Sequence, residues 1–159
     1  GYAYYFARDF EKAIEECRKA LEMDKNSTFA YRNLGLAYLQ QGKLEKAIEA
    51  LSEAVKYSGS GLAFEAYLGF AYAIAGKREE ALEVLASLRD LDRERYVPAY
   101  SFAMIYAGLG DFDKAFAWLE KAFKERSGFL PFLKVEPMAD CLRGDARFQD
   151  LIEKIGFHE

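Results

Sequence analysis

YAGLGDFDKAFAWLEKAF, residues 106–123, sets a tyrosine at 106, a glycine at 110 and an alanine at 115, a trio that no familiar reaction uses. Moving back 34 residues at a time leads from Tyr106 to Tyr72, Tyr38 and Tyr4, and from Ala115 to Ala81, Ala47 and Ala13. The glycine series runs Gly110, Gly76 and Gly42, then breaks at Arg8. A period held through four registers is the mark of a repeat architecture, in which each unit buries its apolar face only against its neighbours.

Inside each period the apolar residues recur at three and four, the spacing of an amphipathic helix, and the pattern breaks once, at the glycine. Each unit therefore reads as two helices and a turn. In the second unit the first helix is expected over Thr28 to Gln41, with Gly42 as its stop, and the second over Leu44 to Tyr57. Glycine suits the stop because a left-handed residue there carries no side-chain penalty. The alanines lie one turn into the second helix, where a methyl group lets two helices approach closely. Tyr38 and its equivalents fill the space beside that contact.

Composition bounds the rest. The chain has 159 residues, 52% apolar and 16% aromatic, enough for one domain with a buried core. Twenty-two basic residues against 26 acidic ones give a net charge of -4, so no global electrostatic field invites nucleic acid or an anionic membrane. Polar residues interrupt every apolar run short of a membrane span, and no secretory leader is legible. Cys17 and Cys141 lack a Cys-x-x-Cys spacing and suit reduced thiols, which points to the cytoplasm. Gly1-Tyr-Ala-Tyr-Tyr already looks like the middle of a helix, so the chain is expected to be a fragment of a longer protein.

The 34-residue unit resembles the tetratricopeptide repeat. The second unit carries Tyr31, Leu34, Gly35, Tyr38, Ala47, Leu51 and Ala54 at matching positions, and the fourth carries Phe102, Ala103, Tyr106, Ala115, Leu119 and Ala122. The third has Leu68, Gly69, Tyr72, Ala81 and Leu85, with Glu65 in the first aromatic slot and Leu88 in the late alanine slot. The first begins at the glycine slot, with Gly1, Tyr4, Ala13, Cys17 and Ala20. The closing proline of the pattern is replaced by Lys25, Gly59, Arg93 and Ser127. The resemblance implies an all-α fold, a right-handed α-solenoid of helix-turn-helix repeats with a C-terminal helical cap. Its repeats would occupy 1–126, divided as a truncated 1–27, then 28–61, 62–95 and 96–126.

Residues 127–159 differ in kind. Phe129, Leu130, Phe132 and Leu133 make an apolar knot, and Pro137 prevents a helix from running through it. Asp145 is placed to cap a last helix over about 146–155, with Phe148, Leu151, Ile152 and Ile155 on one face. A solenoid must cover the open face of its last repeat, so this segment is expected to be the cap. Its wording, Leu-Lys-Val-Glu-Pro then Leu-Arg-x-Asp-x-Arg-Phe, resembles the tail of repeat regions that end larger bacterial regulatory proteins. In that group the repeats follow a winged-helix domain, a kinase, a nucleotide cyclase or a β-propeller.

Material for catalysis is thin. His158, the only histidine, stands two residues from the end, and Cys17 falls at a core position of a repeat helix. Glu15-Glu16 and Glu79-Glu80 lie among lysines and arginines and read as solvated faces. The chain is therefore expected to be no enzyme and to hold no cofactor or metal.

Stacked helical hairpins form an extended concave surface, and binding is the expected function. The resemblance assigns that face to the first helix of each repeat. There it puts Tyr2 and Tyr5 of the first unit and Phe29, Arg32, Asn33 and Leu36 of the second. Tyr67 and Phe70 of the third and Tyr100 and Met104 of the fourth continue the groove. Such an apolar, aromatic face suits a peptide or amphipathic helix from a partner protein or from another domain of the same protein. The alternative is a structural spacer or self-association module that pairs copies through the groove or the open repeat end. The carboxylate clamp of chaperone-binding repeats is absent: Tyr2, Ala63 and Tyr67 stand in its slots in one frame, and Leu36, Tyr67, Val97 and Ser101 in the other.

Overall fold

The computed structural model describes residues 2–59 and 61–156; Gly1 and His158, both singled out by the sequence, lie outside them. Every regular element among the described residues is helical. Helix α1 (Tyr2–Phe6) and α2 (Phe10–Met23) form the first hairpin, α3 (Thr28–Gln40) and α4 (Leu44–Tyr57) the second. Helices α5 (Leu62–Ile74) and α6 (Arg78–Asp92) make the third, α7 (Ala99–Gly108) and α8 (Phe112–Lys124) the fourth. Each second helix packs on the first helix of the next hairpin, and α1, α3, α5 and α7 touch in sequence along the inner face.

The periodic trio does what its chemistry suggests. Ala13, Ala47, Ala81 and Ala115 are all fully buried, so the helices meet there with only a methyl group between them. Gly42, Gly76 and Gly110 adopt φ of 70°, 74° and 75° and turn one helix into the next. Arg8, in the same slot of the first unit, also adopts the left-handed conformation, at φ 61°. A non-glycine residue there pays about 1–2 kcal/mol, which makes its side chain worth following.

The tyrosines add a bond between repeats. Arg18 of the first hairpin donates to the Tyr38 hydroxyl at 2.9 Å, and Arg89 of the third donates to that of Tyr106. Gly35 serves close packing: a methyl group built on it would stand 2.5 Å from Leu51 Cγ, and Leu51 is fully buried.

Beyond α8 the chain leaves the repeat pattern. Residues Leu130–Phe132 and Pro137–Leu142 form 3₁₀ turns, and α9 (Ala146–Ile155) closes the described chain. Pro137 opens the second turn, the position where its missing N–H is no loss. Asp145 caps α9 by accepting from the Arg147 N–H at 3.0 Å, and Gly156 ends it at φ 92°. Helix α9 packs on α8, burying Phe148, Leu151 and Ile152. Arg147–Asp113 at 2.8 Å and Lys154–Glu120 at 2.7 Å pin its outer edge.

Candidate functional site

The inner face exists, and a segment of the chain lies in it. From the end of α8 the residues after Gly128 cross the inner helices to α1 and return. Phe129 stacks on Tyr100 of α7 with ring centroids 5.4 Å apart, and Phe132 stacks on Phe6 of α1 at 5.8 Å. Leu130, Leu133, Met138 and Leu142 are 0–3% exposed. Burying such side chains stabilises by about 1.5–3 kcal/mol each before the entropy of ordering the segment is subtracted.

Two polar contacts fix the crossing. The Tyr5 hydroxyl donates to Glu136 Oε1 at 2.7 Å, and the Met138 N–H donates to the same oxygen at 3.1 Å. Arg8 grips Asp140 with both terminal nitrogens, at 2.6 and 2.7 Å, and Arg143 Nε donates to the same carboxylate at 2.6 Å. The strained Arg8 thus stands where glycine is favoured and holds the returning chain.

Burial pushes the Glu136 carboxyl above its ordinary range, and the Tyr5 and Met138 hydrogen bonds pull the other way without cancelling it. Asp140 is held below its ordinary value, first by the hydrogen bond from Arg8 and also by Arg143. Burial, reinforced by the Glu136 charge, raises the phenols of Tyr5 and Tyr100 well above 10. Burial raises Tyr2 to about 12 and raises Tyr67 in the same sense. These phenols are neutral donors at neutral pH.

The residues expected to line the groove divide accordingly. Tyr5, Leu36, Phe70 and Met104 are at most 3% exposed, while Asn33 and Tyr100 are at 8% and 7%. None of these six is open to a ligand in this conformation, because packing between repeats and the crossing segment cover them. Leu36 in particular belongs to the packed core. Phe70 lines a cavity of about 160 Å³ together with Leu39, Ile74, Pro137, Met138 and Cys141. Tyr100 and Met104 border a residual cavity of about 20 Å³ with Ala66, Tyr67, Ser101, Phe129 and Met138.

Tyr2, Phe29, Arg32 and Tyr67 remain partly accessible and converge. The Arg32 guanidinium lies 4.6 Å from the Tyr2 ring centre, 5.2 Å from Phe29 and 5.7 Å from Tyr67. Its Nε and Nη2 donate to the neighbouring Asn33 Oδ1 at 3.0 and 2.9 Å. A cation ringed by aromatic faces gains about 0.5–1 kcal/mol at an exposed site and is held in place. Phe29, at 62% exposure, is the most open ring of the set.

Glu136, Asp140 and Arg8 form this site with no role assigned from the sequence, and Phe129 and Phe132, read there as part of an apolar knot in the capping segment, lie over the inner helices. The one signal was Arg8, the break in the glycine series. Cys17 is buried and its thiol raised by that burial, the environment of an inert core cysteine. Glu15 and Glu16 both pair with Lys19 on the surface, and Glu79 and Glu80 are exposed. Among the described residues no three His, Cys, Asp or Glu side chains converge to hold a metal, and no helix is long and apolar enough to cross a membrane.

Comparison with known proteins agrees with the repeat geometry. A family model described as a tetratricopeptide repeat matches residues 1–62, and a second of the same description matches residues 99–127. The fold is similar to a crystal structure of MamA, with a TM-score of 0.54 at 22% identity, covering 98% of this chain and 96% of that one. A second MamA crystal structure gives 0.52 at 23% identity, covering 99% of this chain and 90% of that one. No curated protein matches the chain. The period of 34, the paired helices with alanine contacts and left-handed turns, and the two family matches place the chain in the tetratricopeptide repeat family.

Proposed function

We propose that this protein–protein interaction module receives an apolar segment of a partner protein in its concave groove, and that it serves a larger regulatory or scaffold protein in that way. The observation that carries this reading is the seating of Leu130, Leu133 and Met138 against the inner helices, with Glu136 on the Tyr5 hydroxyl. The face accepts a non-repeat peptide in an irregular backbone conformation and recognises it through side chains. Its accessible end, the ring of Tyr2, Phe29 and Tyr67 about Arg32, offers aromatic surface and one positive charge. These features favour apolar segments that carry a carboxylate.

A displayed peptide library selected on the intact chain tests the reading. Enriched sequences should be apolar with at least one acidic residue, and their binding should fall at least tenfold with Phe29→Ala or Arg32→Glu. The outer-face variant Lys46→Glu should leave it unchanged. Binding that responds to Lys46→Glu and ignores both inner-face variants would place the interaction elsewhere.

A further inference from the structure

We propose that residues 129–142 are a built-in occupant of the groove, a strap that a partner segment of the same chemistry must displace; this rests on reading the inner face as a peptide site. The strap belongs to no repeat. It leaves α8 through Arg126, in the left-handed conformation at φ 54°, and through Ser127 and Gly128, then crosses the solenoid to α1. Its buried groups follow a spacing of three, Leu130, Leu133 and Glu136, and continue directly into Pro137 and Met138. The contacts at Tyr5 and Arg8 join side chain to side chain. Any segment with two apolar residues three apart, a glutamate after three more, an apolar residue two beyond it and an aspartate two beyond that carries the same complement.

Two features give a partner room to compete. The cavity of about 20 Å³ beside Met138 is left unfilled, so a larger side chain in that position gains contacts the strap lacks. Arg32 makes its hydrogen bonds to Asn33, enters no salt bridge among the described residues and acts on Glu136 of the strap only at longer range, so a carboxylate on the partner set directly against it gains a contact that the strap does not make. Against this stands the tether, which keeps the strap at an effective concentration on the order of millimolar. A free segment with equal contacts binds only when the strap is loosened.

Arg8 marks the hold as a device of the first repeat. The equivalent turns use glycine, and the left-handed arginine keeps its backbone while spending its side chain on Asp140. Loosening that hold leaves the hairpins their own contacts.

The test uses the full chain and a fluorescein-labelled synthetic peptide of residues 128–143, read by anisotropy. Asp140→Arg in the chain sets a positive charge against Arg8 and Arg143, and hydrogen exchange of the strap amides reports its release. The peptide should bind this variant at least tenfold more tightly than the unaltered chain, and a peptide carrying Leu133→Asp should not bind. Leu133→Asp in the chain is the second loosening variant and should act in the same direction. Equal peptide affinity for released and unaltered chains would overturn the strap as a gate while leaving the groove a peptide site. Release without any peptide binding would overturn both readings. A strap that stays protected in both variants would show an integral part of the fold and sink the inference alone.

Discussion

Removing one oxygen at Tyr5 should free the strap and leave the repeats in place. In Tyr5→Phe the ring still fills its fully buried position, but Glu136 Oε1 loses its 2.7 Å donor and keeps only the Met138 N–H. A hydrogen bond to a charged group contributes about 1.5–3 kcal/mol, and leaving such a group buried without its partner costs a similar amount. The expected loss at neutral pH is about 2 kcal/mol, which corresponds to roughly 30-fold faster exchange of the strap amides. In a Glu136→Gln background the same change breaks a neutral hydrogen bond and costs about 1 kcal/mol, so the two changes should couple by about 1 kcal/mol. Amide exchange measured by mass spectrometry reads residues 130–142 separately from α3 and α4, which serve as the internal reference. Unchanged strap exchange, or an equal rise throughout α3 and α4, would refute the reasoning, because Tyr5 would then brace the solenoid as a whole.

Glu136→Gln alone keeps both acceptor contacts and drops the buried charge. The folded carboxyl value is raised, so the contribution of Glu136 is fully present below its unfolded value of about 4.3 and is lost as pH rises through the folded value. The variant should therefore match or exceed the native chain in urea denaturation at neutral pH, with the advantage vanishing in acid; a uniform loss across the range would count against a buried, desolvated carboxylate. Asp140 has the opposite sign, since its depressed value keeps its contribution above the unfolded value of about 3.9 and loses it as pH falls through the folded one. Strap protection should accordingly be greatest in mild acid, between those two titrations. Arg8→Gly relieves about 1–2 kcal/mol of left-handed strain and removes an exposed ion pair worth about 1 kcal/mol or less. Global stability should then hold or rise while strap exchange accelerates, and slower strap exchange would contradict the assigned role of Arg8. Gly35→Ala drives a methyl group toward Leu51 Cγ and should cost about 1–3 kcal/mol in the urea midpoint despite alanine's better helix propensity; a stabilised variant would show that the contact yields.

The repeats were legible because their information is local and periodic. Helix α4 covers Leu44–Tyr57 as the apolar spacing predicts, α3 ends at Gln40 with Gln41 and Gly42 completing the turn, and α9 covers Ala146–Ile155 behind its Asp145 cap. The crossing of the strap had no such signature. Its decisive contacts, Tyr5 to Glu136 and Arg8 to Asp140, join residues 131 and 132 positions apart, and neither pair recurs in another repeat. The apolar knot at 129–133 was visible as part of a segment that covers an open apolar face, but spacing alone could not distinguish the end of the solenoid from its concave face. Leu130 and Leu133 went inward, while Phe129 and Phe132 stayed 38% and 48% exposed as lids over Tyr100 and Phe6. Of the inner-face positions carried over from the family, Tyr2, Phe29, Arg32 and Tyr67 come together, whereas Leu36 lies in the packed core. Their accessibility depended on a partner from the far end of the same chain.

The most direct measurement is a set of nuclear Overhauser contacts on the full chain in solution, with the aromatic rings labelled selectively. Occupation of the groove predicts cross-peaks between Phe132 and Phe6 and between Phe129 and Tyr100, together with slowed exchange of the strap amides. Absence of both cross-peaks, with strap amides exchanging at the rate of an unfolded peptide while α3 and α4 stay protected, would contradict it.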